Sequence, residues 1–365
     1  MNRTTSRQEQ FSRFQLRSVI CITTDRRGRI SRKEHRVTRQ TDAKAIRFYE
    51  TGGPEVLRWE TVAVGDPGPG EVRVRHGAVG LNFADTYFRT GLYPSPLPAG
   101  MGVEAAGVVE AIGADVVGFA PGDRVTYTGS PLGAYSTVRV MPAEHLISLP
   151  DAIEFDTAAA MTMRGLTSAY LMLRIYNYRE GDTILLHAAA GGVGLIVTQW
   201  AKLLGLNVIG TVSTAAKAEI ARAHGCDHVI LYRDEDVVAR VRELTGGAGV
   251  PVVLDSIGAT TFHTSLDCVA RRGLLVCFGT ASGPIPPINA MQLAIKGSIF
   301  VTRPALADYI ADHTERAELA GELFDHVASG RIAIDINQRY QLSDAARAHD
   351  DLEAGISVGS SVLTV

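Results

Sequence analysis

The densest concentration of chemistry in this 365-residue sequence is the stretch Asp182-Thr-Ile-Leu-Leu-His-Ala-Ala-Ala-Gly-Gly-Val-Gly-Leu195. An apolar run, Thr183 to Leu186, breaks into the small-residue cluster Ala188 to Gly194, and an apolar helical pattern follows from Leu195 to Leu204. Strand, tight turn, helix is the order in which a doubly wound sheet presents backbone N–H groups to a pyrophosphate. The spacing Ala189-x-Gly191-x-x-Gly194 is the dinucleotide fingerprint with alanine in place of the first glycine; ordinary close-packed turns share this composition. The next strand, Asn207 to Val212, ends in Ser213, Thr214 and, one turn on, Lys217. A carboxylate here would accept a ribose 2′-hydroxyl, and none occurs between Leu206 and Ala218. Two hydroxyls and a lysine suit a 2′-phosphate and so favour NADPH; a helix N-cap followed by a solvated lysine accounts for the same residues without a ligand.

Such a turn needs a parallel sheet to hold it. From about Thr157 the sequence alternates helix and strand, with strands expected at Thr183–Leu186, Val208–Val212, His228–Leu231, Val252–Asp255, Leu274–Phe278 and Ser298–Val301. Before that point the pattern is different. Lys44–Tyr49, Val56–Val62, Glu71–Arg75, Ala106–Ile112 and Ala134–Val140 read as short strands punctuated by Gly and Pro, a compact β-rich, barrel-like unit. After Leu306 come a helix, a strand at Ile332–Ile336, a helix at Ser343–Ala354 and a terminal strand at Ser361–Val365, expected to return to the first unit. The fold class is therefore α/β.

Composition narrows the rest. Hydrophobic residues make up 46% and charged residues 21%, as in a globular enzyme with two cores. No apolar run approaches the ~20 residues that span a bilayer. Four scattered cysteines, Cys21, Cys226, Cys268 and Cys277, form neither a disulfide framework nor a zinc lobe and fit a reducing, cytoplasmic compartment, Cys268 and Cys277 in the core. Residues 1–42 hold eleven Lys/Arg against four Asp/Glu, a net of +7 against −10 for the remainder. That basic extension reads as a disordered tail, a transit peptide or a segment upstream of the true start; as a nucleic-acid arm it lacks interleaved aromatics.

Several stretches together identify a family resemblance: Gly52-Gly-Pro-Glu-Val-Leu57, Gly80-Leu-Asn-Phe-Ala-Asp-Thr-Tyr87, Arg89-Thr-Gly-Leu-Tyr-Pro94, Gly102-Val-Glu-Ala-Ala-Gly107, Gly165-Leu-Thr167, His187–Gly194, Ser265-Leu-Asp-Cys268 and Val301-Thr-Arg-Pro304. Over 43–365 the sequence resembles the zinc-free quinone oxidoreductases (ζ-crystallin-like) of the medium-chain dehydrogenase/reductase superfamily. The resemblance implies a GroES-like β-rich catalytic domain (43–166 and 306–365) with an inserted Rossmann doubly wound parallel sheet (167–305). Zinc-dependent relatives carry a Cys and a His where this sequence has Asn82 and Val103, and Glu104 alone cannot hold Zn²⁺, so no metal is expected. Without a Lewis acid, alcohol oxidation lacks an alkoxide stabiliser, whereas a quinone or conjugated enone needs a nearby hydride donor and hydrogen bonds to its oxygen.

Carried over by residue, the resemblance implies that Gly191, Gly192 and Val193 hold the pyrophosphate and that Ser213, Thr214, Lys217 and Tyr232 surround the 2′-phosphate. Thr167, Phe278 and Gly279 would flank the nicotinamide half, and Arg303 would line the cleft or cap a surface. Asn82, Asp85, Tyr87 and Tyr93 are the acceptor-side candidates. Asn82 either bonds a ligand or caps the helix beginning near Phe83. Asp85 is a helix-turn carboxylate or a proton relay, and the two tyrosines contact a ring or pack in the core. His187 reads as structural. Where relatives carry a basic residue near the phosphates, this chain reads Glu353-Ala-Gly-Ile356, so Gly355 would remove one contact, and Arg347 is not an evident substitute. A homodimer is expected, pairing through the Leu274–Phe278 and Ser298–Val301 strands as sheet edges. Enone or enoyl-thioester reduction is the alternative activity, and an NADPH-binding RNA-binding or structural role a third.

Overall fold

The computed structural model describes the backbone of Val19–Thr24 and Ile30–His35, and backbone and side chains of residues 41–365 apart from Ser130. Six parallel strands form its most regular part: β1 (Thr183–Leu186), β2 (Asn207–Val212), β3 (His228–Leu231), β4 (Val250–Asp255), β5 (Val269–Cys277) and β6 (Phe300–Thr302). Their order across the sheet is β3-β2-β1-β4-β5-β6. The sequence dictates this because β1 and β4 are apolar on both faces. Ile184 and Leu186 join one core and Leu185 and Val253 another, on opposite sides of the sheet. Strand order reverses between β1 and β4, which opens a crevice at the carboxyl ends of the strands.

The largest sheet, of seven strands, is mostly antiparallel and built around the long strand Glu71–Leu81, which pairs with Glu104–Ile112, with Val138–Pro142 and with Ser360–Thr364. The last of these is the chain's final strand, so the parallel sheet lies between two segments of one antiparallel sheet. Helix Phe155–Leu173 joins the two parts. Its Ala158, Ala159 and Ala160 are fully buried, and one core cluster runs from Ala78 and Ala106 through this helix to Ile184 and Leu186. Small side chains let the helix lie close to the antiparallel sheet and to helix Gly192–Leu203, which follows β1.

Three expectations shift. The β5 strand is internal, lying between β4 and β6, so of the two strands expected at an edge only β6 is one, and β3 is the opposite edge of the parallel sheet. That edge begins at Phe300 because Gly297 and Ser298 both take positive φ, 111° and 57°, and cannot join a ladder. The strand expected at Ile332–Ile336 runs instead over Ile336–Gln341; Ile332 is apolar because it anchors the core and forms no part of that ladder. Within the basic extension, Val19–Thr24 and Ile30–His35 pair antiparallel with each other. The rest of residues 1–40, and the Cys21 side chain, lie outside the described residues, as do the expectations placed on them. Cys226, Cys268 and Cys277 are free and buried.

Candidate active site

At the end of β1 the backbone turns through Ala188, at φ 53°, into helix Gly192–Leu203, whose N-cap is Gly191. A Cβ on Gly194 would lie 2.3 Å from the Ala188 carbonyl oxygen, and one on Gly192 would lie 2.5 Å from Cδ and Nε of Arg164. Gly194 is therefore obligatory, since backbone stands in the way, whereas a side chain at Gly192 would have to displace Arg164; the first-turn N–H groups of this helix have no carbonyls to receive them. The alanine in the first fingerprint position is accommodated by β2: Gly210 faces it, and a Cβ there would come within 2.6 Å of Ala189 Cβ. Gly191 is also bridged to Gly359, whose N–H donates to the Ala190 carbonyl at 3.1 Å. The turn is thus held from the antiparallel sheet as well as from its own.

Beyond β2, Thr214 caps helix Ala215–Ala223, its Oγ1 accepting the Lys217 N–H at 3.3 Å. Ser213 stands beside it, and Tyr232, 49% exposed, follows β3. Lys217 Nζ donates to the Gly355 carbonyl at 3.0 Å. Burial and the neighbouring positive charge of Arg233 lower the Lys217 pKa. Ser213, Thr214, Lys217 and Tyr232 thus gather at the ends of two adjacent strands. Arg233 joins them although it was not singled out in the sequence; its signal was adjacency in Leu231-Tyr-Arg233. Gly355 offers no charge, only its carbonyl, and its φ of 67° favours glycine.

On the facing side, Asn82 precedes helix Phe83–Arg89 as its N-cap. Its backbone N–H donates to Asp85 Oδ2 at 2.8 Å, and its side-chain Nδ2 donates to Glu104 Oε2 at 2.6 Å. Glu104 Oε1 accepts the Met163 N–H at 2.6 Å. Asp85 and Glu104 are both fully buried, and burial raises each pKa to about 7 against the pull of Arg164. Arg164 donates to the carbonyls of Leu81 and Ala160. Zero exposure corrects the expectation that Asp85 reaches a ligand: it lies beneath Asn82 and fixes it. Asn82 is both a cap and a side chain with one amide N–H already committed, leaving the other for a ligand.

Tyr87 and Tyr93 span the two halves of the molecule. The Tyr87 hydroxyl accepts the Thr280 N–H at 3.1 Å, and the Tyr93 hydroxyl accepts from Arg303 Nη2 at 3.1 Å. The two rings meet edge to face at 5.2 Å. Phe278 and Gly279 immediately precede Thr280 in the loop after β5, where a Cβ on Gly279 would lie 2.3 Å from the Ser256 carbonyl oxygen. Thr167 lies near the middle of helix Phe155–Leu173, almost fully buried. His187 bonds Thr211 Oγ1 and Ser265 Oγ, each at 3.0 Å, and is a buried tie between strands. Among the described residues, no three His, Cys, Asp or Glu side chains are grouped to hold a metal. The residues overlooked in the sequence are Arg164, Tyr135 and His349, each resembling ordinary core when read alone.

A 3-2-1-4-5-6 parallel sheet inserted into a GroES-like antiparallel unit defines the medium-chain dehydrogenase/reductase architecture. Two family models match, the alcohol dehydrogenase GroES-like domain over residues 68–151 and the zinc-binding dehydrogenase domain over 192–320. A quinone oxidoreductase of Pseudomonas aeruginosa is 54% identical over 323 residues, covering 88% of this chain and 99% of that one. A 2-haloacrylate reductase of Burkholderia is 45% identical over 324 residues, 87% of this chain and 97% of its own. Among solved structures, Escherichia coli quinone oxidoreductase complexed with NADPH matches with a TM-score of 0.87 at 49% identity, over 88% of this chain and all of that one. The chain belongs to the quinone oxidoreductase family.

Proposed function

We propose that the chain is an NADPH-dependent quinone reductase, working without a metal in the crevice between its two halves. The observation carrying this reading is the cationic pair at the ends of β2 and β3: Lys217 and Arg233 stand together with two hydroxyls where an NAD-binding site would place an acid. The turn fits a dinucleotide, since Gly192 and Gly194 let the strand end and the helix pack closely while the first-turn N–H groups of the helix stay without carbonyl partners. Bound NADPH supplies the hydride. Gly191, Gly192 and Val193 hold its pyrophosphate by N–H groups. Ser213, Thr214, Lys217, Tyr232 and Arg233 hold its phosphorylated ribose. Thr167, Phe278, Gly279 and Arg303 bound the nicotinamide end, and the free N–H of Asn82 donates to the ribose or to the acceptor oxygen that gathers charge. Tyr87 and Tyr93 close the wall of the acceptor site through Thr280 and Arg303.

The test is steady-state reduction of 1,4-benzoquinone, 1,2-naphthoquinone and a 2-enal, with NADPH and NADH titrated in parallel. Quinones are expected to be turned over fastest. NADPH should bind at least ~10-fold more tightly than NADH, about 1.4 kcal/mol. A clear preference for the enal overturns the quinone assignment in favour of enone or enoyl-thioester reduction, the reading supported by the likeness to a 2-haloacrylate reductase. The same proposal takes 43–166 with 306–365, and 167–305, as its two domains, a cytoplasmic location, and a homodimer. Support for the dimer is the apolar group Ile288, Met291, Ile295 and Phe300, 43–77% exposed beside the β6 edge. The basic arm that would serve an RNA-binding role has its side chains outside the described residues.

A further inference from the structure

Beneath Asn82 the hydrogen bonds run in one forced direction. Arg89, 1% exposed, donates from Nη2 to both carboxylate oxygens of Glu353 and from Nη1 to His349 Nδ1 at 3.0 Å. A guanidinium only donates, so Nδ1 of His349 must accept and its proton sits on Nε2. Nε2–H therefore donates to the Tyr135 hydroxyl oxygen at 3.1 Å. The single hydroxyl hydrogen of Tyr135 is then left for Asp85 Oδ2 at 2.9 Å. Tyr135 and His349 are fully buried, and burial with the Arg89 charge lowers the His349 pKa to about 3, keeping the ring neutral. Asp85 Oδ1 is buried with no partner. The Asp85 carboxylate thus draws on the Asn82 N–H and the Tyr135 O–H, at 2.8 and 2.9 Å and from separate parts of the chain, and the backbone N–H of Val103 also favours its ionised form.

We infer that Tyr135, oriented by His349, is a positioning residue for the reaction: its hydroxyl fixes the Asp85 carboxylate, which fixes Asn82 and the start of the helix that carries Tyr87. This rests on the proposed reductase reading. No ligand is needed for Tyr135 to matter, because it sits one residue behind the surface it controls. The groups facing Asp85 are Tyr135, Arg164 from helix Phe155–Leu173 and Glu104 from its own strand, with His349, Arg89 and Glu353 behind Tyr135. Tyr135 and Arg164 favour the ionised carboxylate, and Glu104 and burial oppose it.

The test compares wild type with Tyr135→Phe, which keeps the ring and removes the hydroxyl. In wild type, kcat should fall on the acid side with a midpoint near 7 as the coupled Asp85 and Glu104 carboxyls take up a proton. In the variant that midpoint should rise by at least ~0.5 unit, kcat at neutral pH should drop ~10-fold, and KM for NADPH should stay within ~2-fold. His349→Leu should move the midpoint the same way and His349→Gln, which restores a donor, should move it back; this pair serves if Tyr135→Phe does not fold. A second readout needs no substrate: the protonated-carboxyl infrared band that Asp85→Asn removes should titrate at higher pH in Tyr135→Phe. An unchanged midpoint in both measurements, even with kcat reduced, overturns the inference. A wild type inactive on every quinone and enone overturns the reductase reading alone, since the infrared midpoint still reports on Tyr135.

Discussion

Two buried acids, one in each half of the molecule, face opposite circumstances. Asp255, at the end of β4, accepts from the N–H groups of Ile257 and Gly258 and from the hydroxyls of Thr261 and Ser265, so each oxygen is used. Asp85 accepts from Asn82 and Tyr135 on one oxygen, with the Val103 N–H beside the carboxylate and no well-formed hydrogen bond on the other oxygen, and burial raises its pKa to about 7. Full burial is common to both, and what separates them is the number of hydrogen bonds each receives. A carboxylate with every lone pair satisfied is mortar for the loops around it. One left partly unsatisfied beneath Asn82, as Asp85 is, keeps a raised pKa that the proposed reaction would feel.

The sharpest way to break this contrast is to remove each acid. Asp255→Ala strips acceptors from four buried or half-buried donors and should cost about 3–5 kcal/mol in urea unfolding, through stability alone. Asp85→Asn should behave in the opposite sense. Its amide oxygen can still accept from Asn82 and Tyr135, and its NH₂ falls where Oδ1 already lacks a partner. The folded-state pKa of Asp85 lies above its ordinary 3.8, so its contribution to stability is full below about 4 and is lost as pH rises through about 7. The melting temperature of Asp85→Asn relative to wild type should therefore climb across that window, while kcat falls by ~10-fold or more. His349 provides a check of opposite sign: its folded pKa is depressed to about 3, so its contribution is present above 6.5 and lost as pH falls towards 3.

Smaller effects sharpen the comparison at the cofactor end. Lys217→Ala and Arg233→Ala should each narrow the preference for NADPH over NADH by up to about 1.4 kcal/mol, read from parallel binding titrations, with little change in melting temperature. Removing Arg233 should also raise the Lys217 pKa, since Arg233 is one of the causes that lower it. The smallest effect on the monomer is expected from Ile295→Asp. The side chain is 77% exposed, so the substitution should leave stability within ~0.5 kcal/mol while shifting sedimentation from dimer to monomer. Sedimentation of the wild type as a monomer would remove the dimer reading outright.

Much of the parallel sheet was legible because each strand is a short apolar run with its own turn chemistry. Thr183–Leu186 and His228–Leu231 match their expected bounds, β2 and β4 begin at Asn207 and Val250, slightly before theirs, and β5 begins well before its expected start, at Val269, and stops at Cys277, short of Phe278. The dinucleotide turn was legible for a related reason: backbone does the binding, and glycine marks where backbone must come close. The acceptor side was less so. Tyr135 lies 50 residues from Asp85 and His349 a further 214 from Tyr135, and nothing in their local sequence separates them from ordinary core residues. Their significance comes from three distant segments meeting, which no periodicity encodes. Similarly, the Gly355 departure was visible in sequence, whereas its carbonyl accepting Lys217 was not.

One core cluster, threaded by helix Phe155–Leu173, belongs to both halves of the protein. Swinging those halves apart like a clam would part this helix from the antiparallel sheet or from helix Gly192–Leu203 and open a shared, fully buried core, a cost far above that of any surface rearrangement. The doors to the crevice are therefore small ones. Tyr87 leans on Thr280 and Tyr93 on Arg303, each by a single hydrogen bond, so on the proposed reading a flat acceptor needs only these two side chains and one loop to turn while the frame stays still.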